Sequence, residues 1–212
     1  MSVAARIALA AAAGFAFGSI PFAVIVSRVF FRTDIRQHGS GNPGATNVFR
    51  TFGPPAGIAV LVLDAAKGAA AVATARWLLA GIAERPYDWG MVVASLAAIA
   101  GHSFSPFIGF RGGKGVATAA GAVAVLMPAG FAVLLATFVS VLVIGRMVSL
   151  GSVTLALEFP ALVLLLYGDR TALVAFGFAA GALVLWRHRA NVRRILRGEE
   201  PRIGTAARGD AA

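Results

Sequence analysis

The sequence predicts an all-α integral membrane protein. About seven transmembrane helices are expected, with the N-terminus outside, the C-terminus cytoplasmic and glycine-rich loops on the cytoplasmic face. Three observations carry that reading. Of 212 residues, 58% are hydrophobic and only 13% are charged, where a soluble domain averages about 25% charged residues. Apolar runs long enough to cross about 30 Å of hydrocarbon alternate with short polar segments rich in Gly and Arg. The basic residues also concentrate on alternate connections, as the cytoplasmic loops of membrane proteins do.

The first apolar run covers 4–30 and continues well past the 7–15-residue core of a signal peptide, so it is expected to stay as a span. Gly18-Ser19-Ile20-Pro21 interrupts it. A buried proline frees a carbonyl that a neighbouring helix or polar group must satisfy. A second span covers about 55–80 and carries Asp64 and Lys67, three residues apart and so on nearby helix faces. A charge at mid-membrane costs at least about 2.5–3.5 kcal/mol on insertion scales. The pair is therefore either a neutralising structural couple or a brace for the loop before it. Residues 81–88 read as a polar connection and 89–104 as a third span, with His102 near its end. The run 116–145 is broken by Met127-Pro128-Ala129-Gly130, and 153–167 and 171–186 are split by Gly168-Asp169-Arg170. The short runs 116–127 and 153–167 leave open whether each crosses fully. The chain reads as one transmembrane domain over 1–200 and a flexible cytoplasmic tail over 201–212.

Parity selects among topologies. With turns at both Pro128 and Asp169-Arg170 there are seven spans. The loops 31–54, 105–115 and 146–152 then share a side with the tail. That side holds Arg28, Arg32, Arg36, Arg50, Arg111, Lys114, Arg146 and the seven arginines from Arg187 to Arg208, against Arg6, Arg85 and Arg170 in the opposite connections. Treating both breaks as kinks gives five spans and strands Asp169 and Arg170 near a helix centre.

Composition excludes several functions. There is no Cys, so there are no disulfides or thiolate metal sites, and the three His lack metal-ligand spacing. Neither metal nor cofactor is expected. The net charge of +10 is scattered between apolar runs, which fits membrane orientation and small anions better than nucleic acid.

The longest polar stretch before the tail is 34–50, Asp-Ile-Arg-Gln-His-Gly-Ser-Gly-Asn-Pro-Gly-Ala-Thr-Asn-Val-Phe-Arg. Its glycines can expose backbone N–H groups, and amides in a tight turn bind phosphate. The spelling G-x-G-x-x-G over 39–44 is no dinucleotide fingerprint, because no βαβ unit surrounds it. Gly112-Gly113-Lys114-Gly115 resembles a P-loop fragment, but the positions that Walker A requires as Gly and Ser/Thr are Ile108 and Gly115. Two glycine-rich loops on one face, each with a cation, point to phosphate. His188-x-x-Asn191-x-x-Arg194 places three polar residues at helical spacing.

The ordered motifs resemble the bacterial acyl-phosphate-dependent glycerol-3-phosphate acyltransferases, the PlsY family. They are Gly18-Ser19-Ile20-Pro21, Asp34-Ile35-Arg36, Gly-Ser-Gly-Asn-x-Gly-Ala-Thr-Asn at 39–47 with Arg50, Asp64 and Lys67, Gly101-His102-x-Phe104, 109–118, Val148-Ser149-Leu150-Gly151-Ser152, and His188-Arg189-x-Asn191 through Arg194, Gly198 and Glu200. Pro43 and Met147 depart from the pattern without touching an assigned residue. The resemblance implies transfer of a fatty acyl group from acyl phosphate to the 1-hydroxyl of sn-glycerol 3-phosphate, giving lysophosphatidic acid and inorganic phosphate. This would be the first step of phospholipid synthesis, carried out in the bacterial cytoplasmic membrane.

By the same match the catalytic set is Ser40, Arg50, Lys114, His188 and Asn191. Gly39, Gly41, Asn42, Gly44, Asn47, Gly112, Gly113, Gly115 and Ser149 bind substrate or phosphate. Asp64, Lys67, His102, Arg146, Arg194 and Glu200 support them. The expected partners are glycerol 3-phosphate, acyl phosphate and membrane lipid, with the protein a monomer. The family's suggested mechanism lets a substrate phosphate take the proton; His188 as general base is the alternative. The His-x-x-x-x-Asp pattern of acyl-CoA enzymes is absent, since Pro43, Phe107 and Arg193 stand five residues after the three histidines. A transporter for a phosphorylated solute is the rival reading, favoured by broken helices and intramembrane charge and opposed by the one-sided clustering of the loops.

Overall fold

The computed structural model describes residues 1–204, and everything in them that is regular is helical. The helices are α1 (Val3–Ser19), α2 (Phe22–Phe31), α3 (Ala45–Phe52), α4 (Pro54–Leu78), α5 (Glu84–Ser103), α6 (Val116–Leu126), α7 (Pro128–Gly145), α8 (Val148–Tyr167), α9 (Thr171–Arg187) and α10 (Arg189–Leu196). Residues 205–212, most of the predicted tail and Arg208 with it, lie outside the described residues.

Local chemistry sets the breaks. Pro21 separates α1 from α2, and the carbonyls freed there find donors: Lys67 Nζ reaches Ile20 O at 2.8 Å and Ser105 Oγ donates to Ser19 O. Proline opens both α4 and α7, where its missing N–H costs no helical bond. Met127, outside the helical region at φ −140° and ψ 69°, divides α6 from α7.

Among the described residues, five segments are long and apolar enough to cross a membrane: Val3–Phe31, Pro54–Leu78, Glu84–Ile108, Pro128–Gly145 and Val148–Tyr167. The pair α9 and α10, bent by 64° at its junction, makes a sixth if taken together. At 11 residues α6 is about 16 Å long, roughly half the hydrocarbon thickness.

Polar contacts tie the connections into two ends. At one end Arg6 Nη1 donates to Ala80 O (3.1 Å), Arg76 Nη2 to Val125 O (3.4 Å), and Arg170 pairs with Asp88. At the other, Arg50 Nη2 donates to Pro201 O (3.1 Å), Lys114 to Asn191 Oδ1, and Arg146 Nη2 to Ile203 O (2.8 Å). With α1 and α2 as one segment, the described residues run from one end to the other seven times, α6 as a short helix among them. Besides the tail, the second end gathers Arg28, Arg32, Arg36, Arg50, Arg111, Lys114 and Arg146; the first has Arg6, Arg76, Arg85 and Arg170.

Small residues set the spacing of the helices. A Cβ on Gly18 would lie 2.0 Å from Ala98 O, one on Gly68 2.0 Å from Thr118 O, and one on Gly121 1.8 Å from Ala65 O. The pairs α1–α5 and α4–α6 therefore touch backbone to backbone, as membrane helices do where no hydrophobic force drives them together.

Three boundaries differ from the sequence expectation. Residues 84–88 belong to α5, not to a connection, because Asp88 is neutralised by Arg170. The polar link 146–152 shrinks to Arg146-Met147, since Val148–Ser152 form the first turns of α8; α8 is thus 20 residues long, not the 15 of 153–167. The stretch 34–50 is not all loop, for Ala45–Phe52 is the amphipathic α3, which packs against α4.

Candidate active site

The second end holds a cavity of about 420 Å³. Its polar end is lined by Ser40, Asn42, Gly44, Asn47, Arg50, Asp64, His102, Lys114, Gly115, Ser149, His188, Asn191, Arg194 and Glu200. Four segments far apart in sequence thus meet there: the 39–50 stretch, the 114–117 turn, the start of α8 and the tail. Gly39, Gly41, Gly112, Gly113, Lys67 and Arg146 do not line it.

The first loop is built from its own side chains. Asp34 takes a bidentate pair from Arg36 (3.0 and 2.7 Å), a bond from Arg28 (2.8 Å) and the Arg36 N–H (3.0 Å). The Arg36 bonds hold its carboxyl well below the usual carboxylate range. Asn47 staples the turn from α3: its Oδ1 accepts from Ser40 N (3.0 Å), and its Nδ2 donates to Ile35 O (3.2 Å) and His38 O (2.9 Å). Gly39 has φ +55° and a Cβ there would lie 2.4 Å from Asn47 Oδ1, so only glycine fits.

Where the loop's amides go changes the expected anion cradle. Ser40 N is spent on Asn47, Gly41 N on His38 O (3.0 Å) and Gly44 N on Asn42 O (3.0 Å). In the second loop Gly112 N donates to Ser103 O (3.1 Å) and Gly113 N to His102 O (3.1 Å). The glycine amides fold the loops. Gly39 N has no acceptor among the described residues, and neither do the N–H groups that lead into the helices: Ala45 and Thr46 of α3, and Lys114 through Thr118 at the start of α6. Gly44, Ala45, Thr46 and Gly115, Val116, Ala117 all line the cavity. Two helix N-termini thus face it with their positive ends. The sequence reading missed this, although Gly before a small-residue run could have signalled both starts.

Glu200 is the hub of the tail. Its Oε1 accepts from Ser149 Oγ and Asn191 Nδ2, each at 2.7 Å, and its Oε2 accepts from Arg194 Nε at 2.7 Å. Burial would raise its pKa, but these three donors outweigh burial and lower it. Asn191 in turn accepts from Lys114. Burial, together with nearby Arg194 and Arg50, lowers the Lys114 ammonium to about 8. His188 sits at the bend between α9 and α10 with Nδ1 at 2.8 Å from Val184 O, which fixes the proton on Nδ1 and leaves Nε2 as an acceptor. Burial and the charge of Lys114 lower His188 to about 4, so the ring is neutral near pH 7.

Behind the cavity, Lys67 Nζ lies 2.8 Å from both Asp64 Oδ1 and His102 Nδ1. Bound also to Ile20 O, this group links the α1–α2 break, α4 and α5. A Cβ on Gly113 would lie 2.2 Å from His102 Nε2, so the second loop rests directly on this network. Arg146 is elsewhere: it exchanges two hydrogen bonds with Ile203, at 2.7 and 2.8 Å, and holds the tail beside the site.

From the polar end the cavity continues between α6, α7, α8 and α9 past Val123, Leu134, Phe138, Leu155, Phe159 and Val184, and at Leu61, Val62 and Leu135 it meets exposed apolar surface. Its cations are Arg50, Lys114 and Arg194; Glu200 offsets one, and Asp64, which also lines it, is neutralised by Lys67 from behind. The arrangement can hold an anionic head against two helix N-termini and two net cations, with an alkyl chain running into the apolar part.

The glycerol-3-phosphate acyltransferase family model matches residues 8–198. A glycerol-3-phosphate acyltransferase of Synechococcus sp. (strain CC9902) is 43% identical over 194 residues, covering 91% of this chain and 93% of its own. One of Anaeromyxobacter sp. (strain Fw109-5) is 43% identical over 192 residues, covering 91% and 94%. The crystal structure of PlsY (YgiH), an integral membrane glycerol 3-phosphate acyltransferase, in its glycerol 3-phosphate form shares the fold with a TM-score of 0.84 at 34% identity, over 97% of each chain. Its lysophosphatidic acid form gives 0.82 at 33% identity, over 94% of this chain and 96% of that one. The match spans both glycine-rich loops and the His188–Arg194 segment, and the chain belongs to the glycerol-3-phosphate acyltransferase family.

Proposed function

We propose that this protein transfers a fatty acyl group from acyl phosphate to the 1-hydroxyl of sn-glycerol 3-phosphate. The products are lysophosphatidic acid and inorganic phosphate, at the first step of phospholipid synthesis. The observation that carries this reading is a continuous cavity whose cationic end, with Arg50 and Lys114, runs on into an apolar arm. A phosphorylated polyol needs the first part and a fatty acyl chain the second.

Both substrates bring negative charge close to the reacting carbonyl. Arg50, Lys114 and the N-termini of α3 and α6 offset that repulsion and hold the hydroxyl near the carbonyl carbon. The hydroxyl oxygen bonds to that carbon, the bond from carbon to the phosphate oxygen breaks, and phosphate leaves with the electron pair. A substrate phosphate takes the hydroxyl proton. The low pKa of His188 supports this over His188 as base, because a ring protonated only near pH 4 accepts a proton weakly. Its free Nε2 is suited to accept a hydrogen bond from the hydroxyl and aim it. Ser40 and Arg50 stand at the reacting centre, Lys114 and Asn191 at the glycerol phosphate, with Asn42, Gly44, Gly115 and Ser149 lining the same end.

The protein works as a monomer in the bacterial cytoplasmic membrane. The arginine-rich end of the seven-pass bundle faces the cytoplasm and the N-terminus lies outside, as the unequal distribution of positive charge favours.

Purified protein in detergent, given acyl phosphate and glycerol 3-phosphate, should release lysophosphatidic acid and phosphate. Ser40→Ala and Arg50→Ala should each abolish turnover. No product, together with flux of a phosphorylated solute in vesicles, would establish the transporter instead.

A further inference from the structure

Arg187 is absent from the site read in the sequence and does not line the cavity. It is the last residue of α9, directly before His188. Its guanidinium makes three bonds to the backbone of the second glycine-rich loop: Nε to Gly113 O (3.1 Å), and Nη2 to Gly112 O (2.6 Å) and Gly113 O (2.8 Å). Two aromatic rings hold it in place, with its Cζ 5.6 Å from the Phe104 centroid and 5.8 Å from that of Trp186.

The peptide bond is planar and trans, so its C=O and N–H point in opposite directions. The Gly113 carbonyl faces Arg187, which lies off the cavity; the N–H of the same peptide, that of Lys114, therefore points away from Arg187. Lys114 does line the cavity, and its N–H has no acceptor among the described residues. On its other side the loop is stopped by His102, since Gly112 and Gly113 donate to Ser103 O and His102 O. The loop is gripped between α5 and α9, and its orientation is fixed at the residue before Lys114.

We infer that Arg187 is a positioning residue that turns the Lys114 amide and side chain toward the glycerol phosphate by clamping the Gly112 and Gly113 carbonyls. This rests on the proposed binding of glycerol phosphate at Lys114. The role needs a fork with several donors in one plane, which an ammonium does not offer. Lysine would keep the charge and lose the clamp. Arg187 is also one of the cations that lower the Lys114 pKa, so its loss should move the alkaline limb of activity as well.

The test is steady-state kinetics of purified Arg187→Ala and Arg187→Lys against both substrates over pH, with the thermal midpoint in detergent recorded for each. In both variants KM for glycerol 3-phosphate should rise about tenfold or more, as expected when charge-assisted hydrogen bonds that fix a ligand's partner are lost. KM for acyl phosphate should stay within about twofold. The alkaline limb of kcat/KM for glycerol 3-phosphate should move to higher pH in Arg187→Ala only. The inference is overturned if Arg187→Lys restores the wild-type KM, since a point charge would then suffice. An equal rise in both KM values in Arg187→Lys also overturns it, by showing a general loss of structure. Failure of wild-type protein to form lysophosphatidic acid would instead remove the functional reading on which the inference stands.

Discussion

Lys114 offers a quantitative test of the site. Its ammonium is held at about 8 in the free protein, chiefly by burial, where lysine in water titrates near 10.4. Only the protonated form attracts a phosphate. The sign follows: binding strength is present below pH 8 and is lost as pH rises through that value. At pH 7 about nine-tenths of the molecules carry the charge and at pH 9 about one-tenth, so kcat/KM for glycerol 3-phosphate should fall roughly tenfold between them, or about 1.4 kcal/mol. The assay is release of inorganic phosphate at low glycerol 3-phosphate and saturating acyl phosphate, from pH 6 to 10. Lys114→Met should lower kcat/KM at pH 7 by roughly 10–100-fold, the worth of a hydrogen bond to a charged group, and should lose the alkaline limb. Lys114→Arg should be flat to pH 9, since guanidinium stays charged. A wild-type profile flat to pH 9.5, or the same limb persisting in Lys114→Met, would refute the assignment.

Other outcomes follow from the same geometry. His188, lowered to about 4, should contribute no acid limb between pH 5.5 and 7.5; a wild-type limb in that range that vanishes in His188→Gln would restore it as general base. Glu200→Ala removes the acceptor of Ser149, Asn191 and Arg194 at once. With Arg194 partly solvated, the loss should be about 1–3 kcal/mol, seen as a lower thermal midpoint in detergent, while Glu200→Gln should retain part of it. Gly121→Ala forces a Cβ to within 1.8 Å of Ala65 O, so α6 must move off α4 at a cost of about 1–3 kcal/mol; an unchanged midpoint would show that the two helices are not in backbone contact. Gly113→Ala pushes on His102 and should raise KM for glycerol 3-phosphate more than KM for acyl phosphate.

Much of this protein is determined by the chain alone. Where long apolar runs alternate with short polar ones, water and hydrocarbon decide between inside and outside residue by residue, so the all-helical membrane class and the breaks at Pro21, Pro128 and 168–170 need no tertiary contact. The asymmetry of arginines between alternate loops is likewise a property of sequence order. The meeting of the 39–50, 114–117, 149 and 188–200 segments at one end followed from parity, and the structure places them around one cavity.

What the tertiary structure decided is where each polar group is spent. The glycine amides of both loops look available in the sequence, yet most are consumed by His38, Asn42, His102 and Ser103; the free donors that line the cavity belong to the starts of α3 and α6. For Gly112 and Gly113 the acceptors come from the end of α5, and no local pattern records that. The tertiary structure likewise makes Glu200 the acceptor that joins α8 to α10, shows the link 146–152 to be mostly helix, and turns Arg187 away from the cavity while the next residue, His188, lines it. Hydropathy is additive along a chain and can be read from it; hydrogen-bond satisfaction is a property of pairs, and only the folded arrangement supplies the partners.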